Sequence, residues 1–107
     1  MIYHVTARLR EETASELLSK LSDGTIANQR PDGQELVASM GRAVVNEAGE
    51  VEWSEMCLCP SPLLHERTTV LDCHFDDIRT EEIVGHQTYS GRPLMEHLRL
   101  LAGRSVS

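Results

Sequence analysis

Residues 53–67 read WSEMCLCPSPLLHER, and this stretch holds the densest set of reactive side chains in the chain. Cys57, Cys59 and His65, joined by Cys73, would make a Cys3His set, the donor chemistry of a tetrahedral zinc site. The spacing argues against such a site. Structural zinc motifs use knuckles with two to four residues between cysteines, whereas Cys-x-Cys on a strand separates equivalent positions by about 6.6 Å. The plainer reading makes these cysteines small apolar side chains. A reactive thiol, with Cys59 activated by His65, would need a helix N-terminus or a nearby cation to favour the thiolate. His65 and Arg67 are the local cations.

A second group comes from strand parity. IYHVTARL alternates with period two, placing Tyr3, Val5, Ala7 and Leu9 on one face and His4, Thr6 and Arg8 on the other. If TTVLDCHF is a strand lying beside it, Asp72 and His74 join His4 and Arg8, the ingredients of a general acid–base or anion site. Its bland alternative is a solvated or dimer-facing surface of ion pairs. A third group, Asn28, Gln29 and Arg30 with Asp32, stands in DGTIANQRPDG, where polar amides and a guanidinium on a turn suit a small anion. The alternative there is that the amides satisfy their own loop. His86 and His97 are expected on helices, partly exposed.

These groups need elements to position them. EETASELLSKLSDG carries Ala14, Leu17, Leu18 and Leu21 at helical spacing, with acids at its start and Gly24 at its end. ELVASMGRAVVNEAGEVEWSEMCLC predicts two strands around a turn at Asn46–Gly49. The alternation of the second arm slips near Ser54 and Glu55, predicting either a bulge or a sheet covered on both faces. TTVLDCHF predicts a fourth strand, with Leu71, Cys73 and Phe75 facing the core and Val70 facing away. DIRTEEIVGHQTY and GRPLMEHLRLLAG predict two helices, the second burying Leu94, Leu98 and Leu101. The expected architecture is α+β: a four-stranded, mainly antiparallel sheet with helices on one face, in the order β-α-β-β-β-α-α. It spans residues 1–107 as a single domain, with residues 101–107 a frayed tail.

Composition narrows the function classes. Seventeen acidic residues against ten basic ones give a net charge of −7, which opposes phosphate backbones and excludes general nucleic-acid binding. No apolar run is long enough to cross a bilayer, and MIYHVTARLR lacks the layout of a signal peptide. A soluble cytoplasmic protein with reduced thiols is expected. With only Tyr3, Trp53, Phe75 and Tyr89 as aromatics, the core is small, and the sheet face bearing Ile2, Val70 and Met56 or Leu58 invites a symmetric partner.

MIYHVTARL, DGTIANQRPDG and WSEMCLCPSPLLHER together resemble a family of small bacterial proteins whose activity is uncharacterised, over roughly residues 1–98. That resemblance implies a compact α+β fold and brings no activity or site with it. The opening strand and the chain length are also similar to dimeric α+β-barrel proteins of the ferredoxin-like kind, whose β-α-β-β-α-β order requires a helix that PSPLLHER is too short to form. The expected function is a homodimeric, non-enzymatic binding module for a small molecule or protein, without a cofactor. The alternatives are a small enzyme or anion-binding protein using His4, Asp72 and His74, and a zinc protein using Cys57, Cys59, His65 and Cys73.

Overall fold

A computed structural model describes residues 1–29, 33–57, 63 and 67–105. Its elements are β1 (Ile2–Leu9), a 3-10 turn (Glu11–Thr13), α1 (Ala14–Ser22), α2 (Gly33–Arg42), β2 (Val44–Val45) and β3 (Val51–Met56). A π-helical turn (Arg67–Leu71) then runs into α3 (Asp72–His74), followed by β4 (Phe75–Ile83), β5 (Arg92–Pro93) and α4 (Leu94–Ser105). The fold is α+β, as the sequence predicts, but the sheet has five strands in the order β4-β1-β3-β2-β5, every neighbouring pair antiparallel.

That order dictates the connections. β1 and β2 run the same way with β3 between them, and β3 and β4 run the same way with β1 between them, so the chain must cross the sheet both times. Helices α1 and α2 make the first crossing. The chain between β3 and β4 makes the second, and of its described residues Leu63, Val70 and Leu71 are buried in the same core as Leu17 of α1 and Leu36 of α2. All the helices therefore lie on one face. Against them β1 turns Tyr3, Val5 and Ala7, and β3 turns Val51 and Trp53, as the period-two pattern requires. The Trp53 and Phe75 rings meet at 5.6 Å. Each fully buried aliphatic side chain here contributes about 1.5–3 kcal/mol of transfer free energy.

Several expectations hold residue by residue. α1 buries Ala14, Leu17 and Leu21, and Gly24 follows it at φ 89°, a conformation that suits a residue without a side chain. The hairpin turn at Asn46–Gly49 forms, its Asn46 Oδ1 accepting from the N–H groups of Ala48 and Glu50. α4 buries Leu94, Leu98 and Leu101 and continues through Ser105, past the point expected to fray.

Three segments depart from expectation and change the predicted order. Residues 35–42, expected as part of a strand, lie in α2, whose buried Leu36, Ser39 and Met40 stand at helical spacing. Residues 68–74, expected within a fourth strand over 68–75, are helical. Val70, Leu71 and His74 are buried and Cys73 is exposed, reversing the assigned parity of Val70 and Cys73. Residues 77–83, expected to be part of a helix, belong with Phe75 and Asp76 to β4, an edge strand studded with Asp76, Asp77, Arg79, Glu81 and Glu82. Such charges suit both an exposed helix and an edge strand that must not pair further, so composition alone misleads. The predicted slip in β3 is instead an unbroken strand with Glu55 facing the core, where it accepts a 2.9 Å hydrogen bond from Trp53 Nε1.

Candidate functional site

β4 and β5 occupy opposite edges of the sheet, so the chain between them must cross β1, β3 and β2. Residues 84–91 do so as an extended strap on the face away from the helices, and side chains that alternation points outward meet it there. The Tyr89 ring stacks on His4 at 5.0 Å and an interplanar angle of 28°. His86 Nδ1 lies 2.8 Å from Ser54 Oγ, to which the Gln87 N–H also donates at 3.3 Å. The strap then passes so close to β2 that a Cβ on Gly91 would sit 2.2 Å from the Val45 carbonyl oxygen. Only glycine fits there, the more so at φ 152°.

Under the strap, His4 reaches diagonally past its partner Ser54 to Glu52, Nε2 to Oε2 being 2.7 Å. The other carboxylate oxygen of Glu52 accepts from Asn46 Nδ2 at 3.2 Å. The arrangement is an imidazole oriented by a carboxylate that is itself held in place, and His4 remains partly open to solvent. Burial, followed by the charges of Glu52 and Glu81, pushes the Tyr89 hydroxyl above its ordinary range. Beside His4 is a cavity of about 190 Å³ lined also by Thr6, Arg79, Thr80 and Glu81. By contrast Ser54 is 1% exposed, so its hydroxyl anchors the strap and is closed to a substrate.

The other members of the predicted acid–base group lie elsewhere. Asp72 pairs with Arg67 at 3.4 Å, on the surface. His74 is fully buried; its backbone carbonyl accepts from the Arg10 N–H, just beyond the end of β1. Six residues of extended chain separate His4 from Arg10, about 20 Å. His74 Nδ1 is 2.9 Å from Thr13 Oγ1, and its Nε2 is 3.5 Å from Lys20 Nζ. Thr13 Oγ1 donates in turn to the Arg10 carbonyl. The chain of donors fixes a neutral imidazole with its proton on Nδ1. Burial first, then Lys20 and Arg10 against an opposing Glu16, pull the His74 pKa below its ordinary value. Arg8 stands beside Asp77 at 3.8 Å, highly exposed.

For the cysteines, Cys59 and His65 lie outside the described residues. The Cys57 N–H donates to the Met1 carbonyl, whereas the Cys73 carbonyl accepts from Arg10. Those two cysteines thus sit at opposite ends of β1, about 30 Å apart along an extended strand. Zinc coordination by both would need Cys73 beside the end of β3; Cys73 stands on α3 instead, at the other end of β1. Among the described residues no group of three or more His, Cys, Asp or Glu side chains is placed to hold a metal.

In the 25–33 loop, the Asn28 N–H donates to the Gly24 carbonyl and the Gln29 N–H to that of Ile26, while Arg30 lies outside the described residues. Sequence reasoning missed Glu52, Ser54, His86 and Tyr89. The parity of Glu52 and Ser54 on β3 was legible, but nothing local told that a strap from the far edge, carrying His86 and Tyr89, would cover them. No family model matches the chain, and neither a curated protein nor a solved structure matches it.

Proposed function

We propose that the protein is a small binding module that works as a homodimer, two copies meeting at the end of the sheet face that the strap leaves open. One observation carries this reading. Ile83, Ile2 and Met56 stand in register across β4, β1 and β3, forming an apolar row on the outward face. Met56 is 45% exposed, and next to the row Met1 and Val84 are more exposed still. A contiguous apolar patch rimmed by charge is the usual mark of an interaction surface. A second copy suits it because a two-fold contact lays the same row against itself, with apolar side chains covering apolar side chains. The order β4-β1-β3-β2 with two helical crossings supports a ferredoxin-like reading of the connectivity, β5 and the strap being additions to it.

In sedimentation velocity the protein is expected to run at twice its 12.0 kDa chain mass at tens of micromolar. The double variant Met56→Glu/Val84→Glu, which buries four charges in the dimer contact, is expected to run as a monomer with an unchanged circular dichroism spectrum. A wild-type monomer at millimolar concentration would end the homodimer reading.

A second reading is supported by the oriented His4–Glu52 pair beside its own cavity. On that reading the strap side binds a small anion, or exchanges a proton with one, through His4 and Arg79. The expected partnership of His4 with Asp72 and His74 has no part in it, because those two residues lie beyond the end of β1.

A further inference from the structure

At the end of β1 remote from the apolar row is a half-open cavity of about 370 Å³, lined by Arg8, Leu9, Glu11, Val45, Val51 and His97, with Ala48 and Gly49 of the hairpin turn at its mouth. Its origin is a mismatch in strand length. β1 continues through Arg8 and Leu9, whereas its last residue pair with β3 is Ala7 with Val51, where the hairpin bends away. The space left between strand and hairpin is closed on one side by the 3-10 turn bearing Glu11. On another side it is closed by α4, where His97 flanks the buried Leu94 and Leu98. The volume falls at the small end of ligand pockets, suited to a single metabolite of amino-acid size and too small for a dinucleotide.

The chemistry of the lining is bipolar. Leu9, Val45 and Val51 make an apolar wall. Arg8 offers a planar guanidinium with two acids near it: Asp76, its register partner on β4, and Asp77 at 3.8 Å, a pair with both side chains mostly in solvent that costs little to exchange. Guanidinium is the side chain best matched to a carboxylate, which it can hold by two parallel hydrogen bonds. Glu11 supplies the opposite charge on the same rim, and a simple carboxylate ligand would meet repulsion there. An ammonium group removes that conflict. We infer that this cavity binds a small zwitterion of the α-amino-acid class with an apolar side chain. Its carboxylate is held by Arg8, its ammonium by Glu11, and its side chain lies against Leu9, Val45 and Val51, with His97 bounding the far wall.

The site is independent of the dimer contact: six residues of β1, about 20 Å, separate Ile2 from Arg8. Isothermal titration of the full chain with leucine tests the inference, alongside 4-methylpentanoate, which lacks the ammonium, and 3-methylbutylamine, which lacks the carboxylate. Leucine is expected to bind in the micromolar to low millimolar range, and each truncated analogue at least tenfold more weakly. Arg8→Gln should weaken leucine at least tenfold, Glu11→Gln should erase the preference for leucine over 4-methylpentanoate, and Ala48→Trp should block the mouth without altering either charge. All three positions are at the surface, so an unchanged circular dichroism spectrum is expected of each variant. Equal binding of leucine and 4-methylpentanoate to the wild type would overturn the role of Glu11 and with it the zwitterion. No heat with leucine, phenylalanine or valine at 10 mM would overturn the site.

Discussion

His4 and His74 both fall on the outward face if parity is counted along two expected strands, yet the structure gives them opposite surroundings. His74 is enclosed among the 3-10 turn, α1 and α3, with both ring nitrogens near polar side chains and no path to solvent. His4 lies on the sheet surface, with a carboxylate on one side, a tyrosine ring over it and a small cavity beside it. The difference separates a histidine that serves the fold from one available to a ligand. Buried polar groups must be satisfied internally, and the satisfied network then resists change. An imidazole at a partly open surface can trade its partner for a ligand at small cost.

The contrast can be broken or sharpened by mutation. His74→Ala leaves a cavity and deprives Thr13 and Lys20 of their shared partner, so a loss of about 2–3 kcal/mol of unfolding free energy is expected in urea titration. A loss under half that value would place His74 among the dispensable residues. His4→Ala removes one part-buried hydrogen bond to Glu52 and one ring stack, for an expected loss of about 1 kcal/mol. Its clearer sign should be faster amide exchange in residues 84–91, with β1 and α1 unchanged. If exchange quickened equally throughout the sheet, the strap would not be a separable element.

The smallest effect is on pH dependence. The folded-state pKa of His74 is lowered, so above its unfolded value of about 6.5 the residue is neutral in both states and contributes no slope. Below that pH the unfolded chain takes up a proton that the folded one refuses, and stability falls as the pH falls. The groups facing the ring are Thr13, Lys20, Glu16 and Arg10, of which only Glu16 opposes the shift. Unfolding free energies of wild type and His74→Gln, measured from pH 7.5 to 5, should therefore converge as the pH drops. Parallel curves would remove the burial argument.

What could be read from the chain was whatever repeats within a single element. The alternation of IYHVTARL, the leucine spacing of α1 and α4 and the Asn46–Gly49 turn are local properties, and each survived folding. Even α2 was present as a pattern, since Leu36, Ser39 and Met40 recur at helical spacing. Val37, Val44 and Val45 biased the reading toward strand, although a β-branched residue is tolerated on a helix whose other face is packed. The thiols show the same limit: Cys57 and Cys73 look adjacent only if β3 and the following strand are neighbours.

The sequence by itself determined an α+β chain with a small aliphatic core and a net charge of −7, because hydrophobic period and net charge need no knowledge of neighbours. Only the tertiary structure decided that residues 75–83 pair with β1 as an edge strand, and that β5 takes the far edge. These choices turn residues 84–91 into a strap over His4 and Glu52 and leave the cavity beside Arg8. The physical reason is that a strand is completed by hydrogen bonds to another part of the chain. Its partner, and every side chain the pairing brings together, is settled by which edge remains free when the rest of the core has packed.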